Sequence, residues 1–407
     1  MITLVCIISA QHIPNLLTVK AVRPGHLILI VTNQMKKNAP WFLNALAAGG
    51  LDYSKKHTII GIQKENSFDE IRSSLKAAYE QDPEKDWILN ITGGTKPMSI
   101  GAYMFAQENR LRALYIVESD QQNAIDLSGG DPLSLSSQHV TDAEFLAGYG
   151  YEIRNAGALE KLNQRAESLM DLAALLTTHH DDEDLRHFLG MLQEMKARKE
   201  TINRKRWLRE GLVLTEDDRV ILRTDKIRRE IALRFGLVVE GGVMTGHMER
   251  YAAEFLTGKW LEYFVYGLLR PLVPSKVRCL RSGLSIGLPG MAGENELDVS
   301  FMTERSLCMV ECKTGSQGHD AKGEQVIYKT EAIKEGLGAL RAKAFIATTS
   351  PNILDRNTGD TRESLANRGQ IYGCTIINGK VLRELAGLYL TKNPTLDVRV
   401  AGQFNLT

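Results

Sequence analysis

The chain has 407 residues, 43% hydrophobic and 24% charged, and its 50 Lys and Arg against 49 Asp and Glu leave a formal net charge of +1. That length holds two or three domains with cores of their own, and the composition excludes a disordered, collagenous or polyionic protein. Cys6, Cys279, Cys308, Cys312 and Cys374 are few, odd in number and without paired CxxC spacing, so neither a disulfide framework nor a structural zinc site is indicated. No apolar run is long enough to span a bilayer and Met1–Val5 carry no charged leader, so a soluble, cytoplasmic protein without a membrane partner is expected.

Apolar runs at 3–8, 27–32, 58–62, 87–92 and 113–117 alternate with helix-like stretches, one of which opens on the capping pattern Ser67-x-x-Glu70. Runs this apolar suit strands buried on both faces, so residues 1–150 are expected to form an open, mostly parallel α/β sheet. Such sheets bind ligands at the carboxyl ends of their strands. The strand at 87–91 ends in Thr92-Gly93-Gly94-Thr95-Lys96-Pro97-Met98, before a helical pattern over 99–109. Two glycines let a ligand approach the backbone, Thr95 can cap the helix, and a helix N-terminus with Lys96 beside it favours phosphate. The spacing is not that of a Walker A loop, and no G-x-G-x-x-G follows the first strand.

Residues 151–240 are expected to form a helical connector. Lys199, Arg204, Lys205 and Arg206 make a basic run, followed by hairpin-like 212–222 and helix-like 224–235. These parts can build a winged-helix module, or equally a solvated connecting helix. His179-His180-Asp181-Asp182-Glu183-Asp184 with His187 is expected to be a solvated helix face rather than a metal site.

Residues 241–407 read helix, strand, strand, helix, strand, with Thr257 as N-cap of the first helix and 322–339 as the later one. A hairpin turning between Glu304 and Arg305 sets Thr303 against Ser306 and, counted outward, Asp298 opposite Glu311, with Cβ atoms roughly 4.5–5.5 Å apart. Lys313 projects to the same face, while Val299, Phe301, Val310 and Cys312 point to the other, towards a core. Two carboxylates so close repel unless a cation separates them. Mg²⁺ or Mn²⁺ held by Asp298, Glu311 and the Cys312 carbonyl would activate a water for phosphodiester hydrolysis, with Lys313 compensating transition-state charge.

Glu-Leu-Asp298-Val and Val-Glu311-Cys-Lys313 resemble the core motif of the PD-(D/E)xK nuclease superfamily. The resemblance implies a restriction-endonuclease-like α/β domain that cleaves DNA or RNA with a divalent cation. It also implies a further catalytic Glu on the upstream helix, here Glu262 at the margin of a stripe of Leu261, Phe264, Val265 and Leu268. Gln325 and Lys329, one turn apart on the helix after the motif, are candidates for a substrate phosphate. Lys329 stands where some branches of the superfamily carry a Tyr.

Asn90-x-Thr92-Gly93-Gly94-Thr95-Lys96-x-Met98 resembles the ligand loop of CARF domains, Rossmann-like sensors of cyclic oligoadenylates in type III CRISPR defence. The other ligand contacts implied are Ser9, Ala10 and Gln11 after the first strand, and Thr32, Asn33, Gln34 and Met35 after the second. Joined to a PD-(D/E)xK domain, this arrangement is similar to CRISPR ancillary nucleases activated by cyclic tetra-adenylate. It implies a homodimer that closes on single-stranded DNA or RNA, or nicks duplex DNA. Two other functions fit parts of the chain: a constitutive DNA-repair or restriction-type nuclease, and a winged-helix transcriptional regulator with an inert nuclease domain.

Overall fold

The structure, a computed structural model, describes residues 1–81, 84–117, 122–218, 222, 224–315, 324–338, 341–355 and 357–406. In the N-terminal part β1 (Ile2–Ile7), α1 (Ile13–Val22), β2 (His26–Thr32), α2 (Asn38–Ala48), β3 (His57–Ile62), α3 (Phe68–Tyr79), β4 (Asp86–Asn90), α4 (Lys96–Glu108) and β5 (Arg112–Tyr115) alternate as the apolar runs require. Two short strands follow, β6 (Asn123–Asp126) and β7 (Leu133–Ser134), then α5 (Asp142–Gly148).

Among the described residues the sheet order is β3-β2-β1-β4-β5-β6-β7. The first five strands are parallel, and β6 and β7 extend the sheet antiparallel beyond β5. These two were not foreseen, because segments so short and polar carry no apolar run. Burial on both faces holds for β1, β2 and β4 but fails for β3, an edge strand whose Ile59 is 51% exposed.

The middle segment holds β8 (Glu152–Ile153), α6 (Leu159–Ser168), α7 (Met170–Thr178), α8 (Glu183–Glu210), β9 (Leu212–Leu214), α9 (Asp225–Phe235), β10 (Val238–Glu240) and β11 (Val243–Met248). β9 pairs with β11, which in turn pairs with β10, in a small antiparallel sheet. The partner of 212–214 thus lies downstream of α9 rather than in the expected hairpin, whose residues 219–221 lie outside the described residues.

The C-terminal part begins with α10 (Arg250–Glu254), a π-helical turn (Phe255–Lys259) and α11 (Trp260–Leu269). Thr257 is not an N-cap. It sits inside the π turn, and its hydroxyl donates to the Ala253 carbonyl at 2.7 Å, because the helical stretch starts earlier, at Arg250. Next come β12 (Arg278–Gly287), β13 (Glu294–Met302), β14 (Leu307–Lys313), α12 (Glu324–Gly336), β15 (Ala342–Thr348), α13 (Glu363–Ile371), β16 (Cys374–Asn378), α14 (Gly379–Leu390) and α15 (Leu396–Gln403). Residues 322, 323 and 339 of the helix expected at 322–339 lie outside the described residues. The sheet order is β16-β15-β14-β13-β12-β8, parallel from β16 to β14 and antiparallel from there on. No helix among the described residues is long and apolar enough to cross a membrane.

Alternation along β13 and β14 sends their side chains into two different cores. Val299, Phe301, Val310 and Cys312 pack with α7, α11 and the C-terminal helices, the face read from the sequence. Met302, Leu307 and Met309, on the other face, join the core that holds Phe42, Leu46 and Phe145 of the N-terminal part, and Leu297 reaches that core too although it shares the parity of Val299. The Arg281 guanidinium of β12 fastens this junction, donating through Nε to Asp142 Oδ2 at 2.8 Å. Asp142 is only 3% exposed, and a carboxylate so buried is costly without its partner. Arg281→Ala should therefore destabilise the chain by about 2–4 kcal/mol in urea denaturation, and Asp142→Asn added to it should recover part of that loss.

Candidate active site

β13 and β14 pair Val299 with Val310, Ser300 with Met309, Phe301 with Cys308 and Met302 with Leu307. The Thr303 N–H donates to the Ser306 carbonyl at 2.9 Å, so the register counted from the turn is the one observed. Pairing stops at Val299–Val310. One step further the strands part, and the Cys312 N–H donates to Asp298 Oδ2 at 2.7 Å. Asp298 and Glu311 therefore stand at the mouth of a splayed hairpin rather than as a closed cross-strand pair, because the Asp298 carboxylate takes an amide that the ladder would have used.

Glu311 is buried, and its Oε1 accepts from Lys313 Nζ at 2.7 Å and Lys329 Nζ at 2.9 Å. Lys329 is thus bound to a candidate catalytic carboxylate in this state and not poised for a phosphate. Gln325 is exposed and makes no hydrogen bond among the described residues.

Glu262 lies on α11, which packs against α6, α7 and β12 and is buried around its whole circumference, including Trp260, Tyr263 and Leu269. The expected margin of a stripe is thus an enclosed position. Its Oε2 lies 3.3 Å from Lys259 Nζ, which also reaches Glu296 Oε1 at 2.8 Å. The sequence reading missed Lys259 and Glu296. Strand alternation could have found Glu296, two residues before Asp298 on the same face of β13.

Burial raises the Asp298 carboxyl well above the usual aspartate range, and the charges of Glu262 and Glu311 raise it further. Burial likewise raises Glu262, although Lys259 pulls against it. For Glu311 burial pushes upward too, but Lys313 and Lys329 outweigh it and hold the carboxyl low. Burial works against the Lys313 ammonium, yet Glu311 and Asp298 more than restore it, so Lys313 stays cationic at neutral pH. The Cys312 thiol is pushed far up by burial, so the side chain is inert packing.

No three His, Cys, Asp or Glu side chains stand grouped for a metal ion among the described residues. The donors of Asp298, Glu311 and the Cys312 carbonyl are nevertheless the oxygen set a hard divalent cation takes. The raised Asp298 carboxyl marks a place where added positive charge would be stabilised, so these residues fit such an ion.

The loop after β4 is built from inside. Asn90 is 0% exposed. Its amide donates to Asn15 Oδ1 at 2.9 Å and Thr18 Oγ1 at 3.0 Å, while its Oδ1 accepts from the Thr92 hydroxyl at 2.7 Å. Asn90 therefore shapes the loop and presents nothing to a ligand. Thr32, Gly93 and Met98 are also buried. A Cβ on Gly93 would meet the Ile7 carbonyl oxygen at 2.3 Å, and Gly94 needs a positive φ of 83°. Thr95 occupies the N-cap position of α4 without capping it, since its hydroxyl donates to the Glu65 carbonyl at 2.7 Å instead. The exposed rim comprises Ala10, Asn33, Gln34, Gly94 and Lys96, with Ser9, Gln11, Met35, Thr92 and Thr95 half-buried. Lys96 has no carboxylate partner among the described residues.

Residues 3–138 match the family described as the Card1 CARF domain, and residues 249–370 match the Card1-like endonuclease domain. Can2 from Sulfobacillus thermosulfidooxidans, solved in complex with cyclic tetra-adenylate, is similar in fold over 99% of this chain and 97% of its own, with a TM-score of 0.70 and 20% identity. Protein VC1899 from Vibrio cholerae is similar over 97% of this chain and 98% of its own, with a TM-score of 0.74 and 17% identity. A type III CRISPR defence DNA nuclease activated by cyclic oligoadenylate matches 90% of this chain and 51% of its own, with a TM-score of 0.50 and 18% identity. No curated protein sequence matches the chain.

Because the folded state favours protonated Asp298, the metal-free protein should lose stability as pH rises from the ordinary aspartate value of 3.8 towards the raised one. Asp298→Asn cannot ionise. In EDTA at neutral pH it should be more stable than the wild type by about 1–2 kcal/mol, with the gain vanishing near pH 4, as read by urea titration across pH.

Proposed function

Since the chain joins a Card1-type CARF domain to a Card1-like endonuclease domain, we propose that it is a divalent-metal-dependent nuclease of type III CRISPR defence, switched on by cyclic tetra-adenylate. The observation that carries the nuclease reading is the splayed end of β13 and β14, where Asp298, Glu311 and Lys313 meet with Glu262 close by. Asp298, Glu311 and the Cys312 carbonyl would hold the ion. A bound Mg²⁺ or Mn²⁺ supplies a water acidic enough to attack and a Lewis acid for the phosphate.

The protein's own groups supply the rest. Lys313, kept cationic by its two acidic neighbours, is placed to neutralise charge that gathers on the phosphate oxygens as the water–phosphorus bond forms and the ester bond breaks. With its carboxyl held above the usual aspartate range, Asp298 would bind a proton in competition with the ion, so metal affinity should fall with falling pH. Lys329, now 2.9 Å from Glu311 Oε1, would have to leave that oxygen or share it with an ion held there.

The sensor half of the proposal rests on the rim at the carboxyl ends of β1, β2 and β4. Main-chain amides at the start of α4 and Lys96, which has no carboxylate partner among the described residues, suit the phosphates of a cyclic nucleotide. The likeness to Can2, solved with cyclic tetra-adenylate, supports that ligand. A ring of four adenylates has two-fold symmetry, which suits a homodimer with one ring across its axis. The substrates proposed are single-stranded DNA or RNA, or duplex DNA that is nicked.

Cleavage of labelled DNA and RNA should require Mn²⁺ or Mg²⁺ and rise on addition of cyclic tetra-adenylate. Glu311→Ala and Lys313→Ala should each lower kcat by about 10²–10⁴-fold without changing nucleotide binding. Lys96→Glu should abolish activation. Full cleavage without nucleotide would instead indicate a constitutive nuclease, and duplex binding without cleavage a transcriptional regulator.

A further inference from the structure

A cleft of about 630 Å³ opens between α6, the β11–α10 junction and the start of β13. Lys259 and Glu296 are among its lining residues, and Lys259 is the same ammonium that touches Glu262. The cleft is therefore one ion pair away from Glu262, and Glu296 on its wall stands two residues before Asp298 on β13. Part of its wall is a stack, with the Arg165 guanidinium 5.1 Å from the centre of the Tyr251 ring. Arg165 has no carboxylate partner among the described residues. Leu208 adds an apolar surface beside it, 44% exposed.

The charge of the lining is mixed. Arg165, Arg209, Arg250 and Lys259 face Glu249, Glu254 and Glu296. Arg250 already neutralises Glu254 at 2.6 Å, and Lys259 neutralises Glu296 at 2.8 Å. Charge alone would make this a weak anion site. What distinguishes it is an aromatic–guanidinium platform in a cleft that shares Lys259 with the candidate active site, the pairing of stacking surface and scattered cations that holds an unpaired strand. A base inside a duplex is already stacked on both faces and cannot use such a platform.

We infer that this cleft is the track by which a nucleic-acid strand reaches Asp298 and Glu311, with one base stacked at Arg165–Tyr251 and its flanking phosphates near Arg209 and Arg250. The inference rests on the nuclease reading of the site. In the track Lys259 is a positioning residue that holds Glu262 in place where the strand enters.

The test uses the full chain with Mn²⁺ and cyclic tetra-adenylate, comparing wild type with Arg165→Glu, Tyr251→Ala and Tyr251→Phe. Arg399→Glu, a charge reversal on the exposed surface, is the control. On a single-stranded oligonucleotide, Tyr251→Ala and Arg165→Glu should each raise KM about tenfold with the effect on kcat much smaller, while Tyr251→Phe and Arg399→Glu stay near wild type. Anisotropy of the same labelled oligonucleotide on Glu311→Gln backgrounds should show the same order of affinities without any cleavage. Unchanged KM and affinity in both cleft variants, or an equal loss in Arg399→Glu, would overturn the track. A wild type that binds the strand through Arg165 and Tyr251 yet never cleaves would sink the nuclease reading and leave the track standing.

Discussion

The endonuclease half is organised by a shortage of positive charge. Lys313 from β14, Lys329 from α12 and Lys259 from the π turn face Glu262, Glu296, Asp298 and Glu311. Two of those lysines converge on one oxygen of Glu311, and among the described residues Asp298 is left with only an amide. Burial and that residual like-charge repulsion together hold the Asp298 carboxyl well above the usual aspartate range. A structure selected for stability alone would have placed a neutral side chain there. The destabilised acid is what one expects of a site whose missing charge arrives from outside.

What could be read from the sequence was what local rules determine. The strands of the N-terminal sheet announce themselves by apolar runs, and the β13–β14 register follows from a turn at Glu304–Arg305 because a hairpin offers few alternatives. The sorting of Val299, Phe301, Val310 and Cys312 to one core follows from the period of two. What escaped depends on distant partners. The hairpin's splay requires Asp298 to capture the Cys312 amide, and the role of Lys329 depends on how α12 lies over β14. Asn90 looked like a ligand residue because it belongs to the motif. Only the positions of Asn15 and Thr18 on α1 reveal that it works inward.

The same inward logic explains why the loop motif is so restrictive. Gly93 is squeezed against the Ile7 carbonyl and Thr92 is tied to both Asn90 and the Ile116 amide, so few of the motif's side chains remain to meet a solute. The motif specifies a backbone shape, and the exposed rim residues around it are where ligand preference can vary.

The junction between the two halves has no slack. α5 ends at Gly148 and β8 begins at Glu152, already the edge of the C-terminal sheet, with Tyr149, Gly150 and Tyr151 between them. Tethered modules communicate by raising each other's local concentration, and their response is tuned by the length of the leash. Here there is no leash to tune. Leu297 and Met309 share a core with Phe42 and Phe145, so the two halves are geared like meshed teeth, and a displacement at the rim can reach the hairpin only by turning packed side chains past one another.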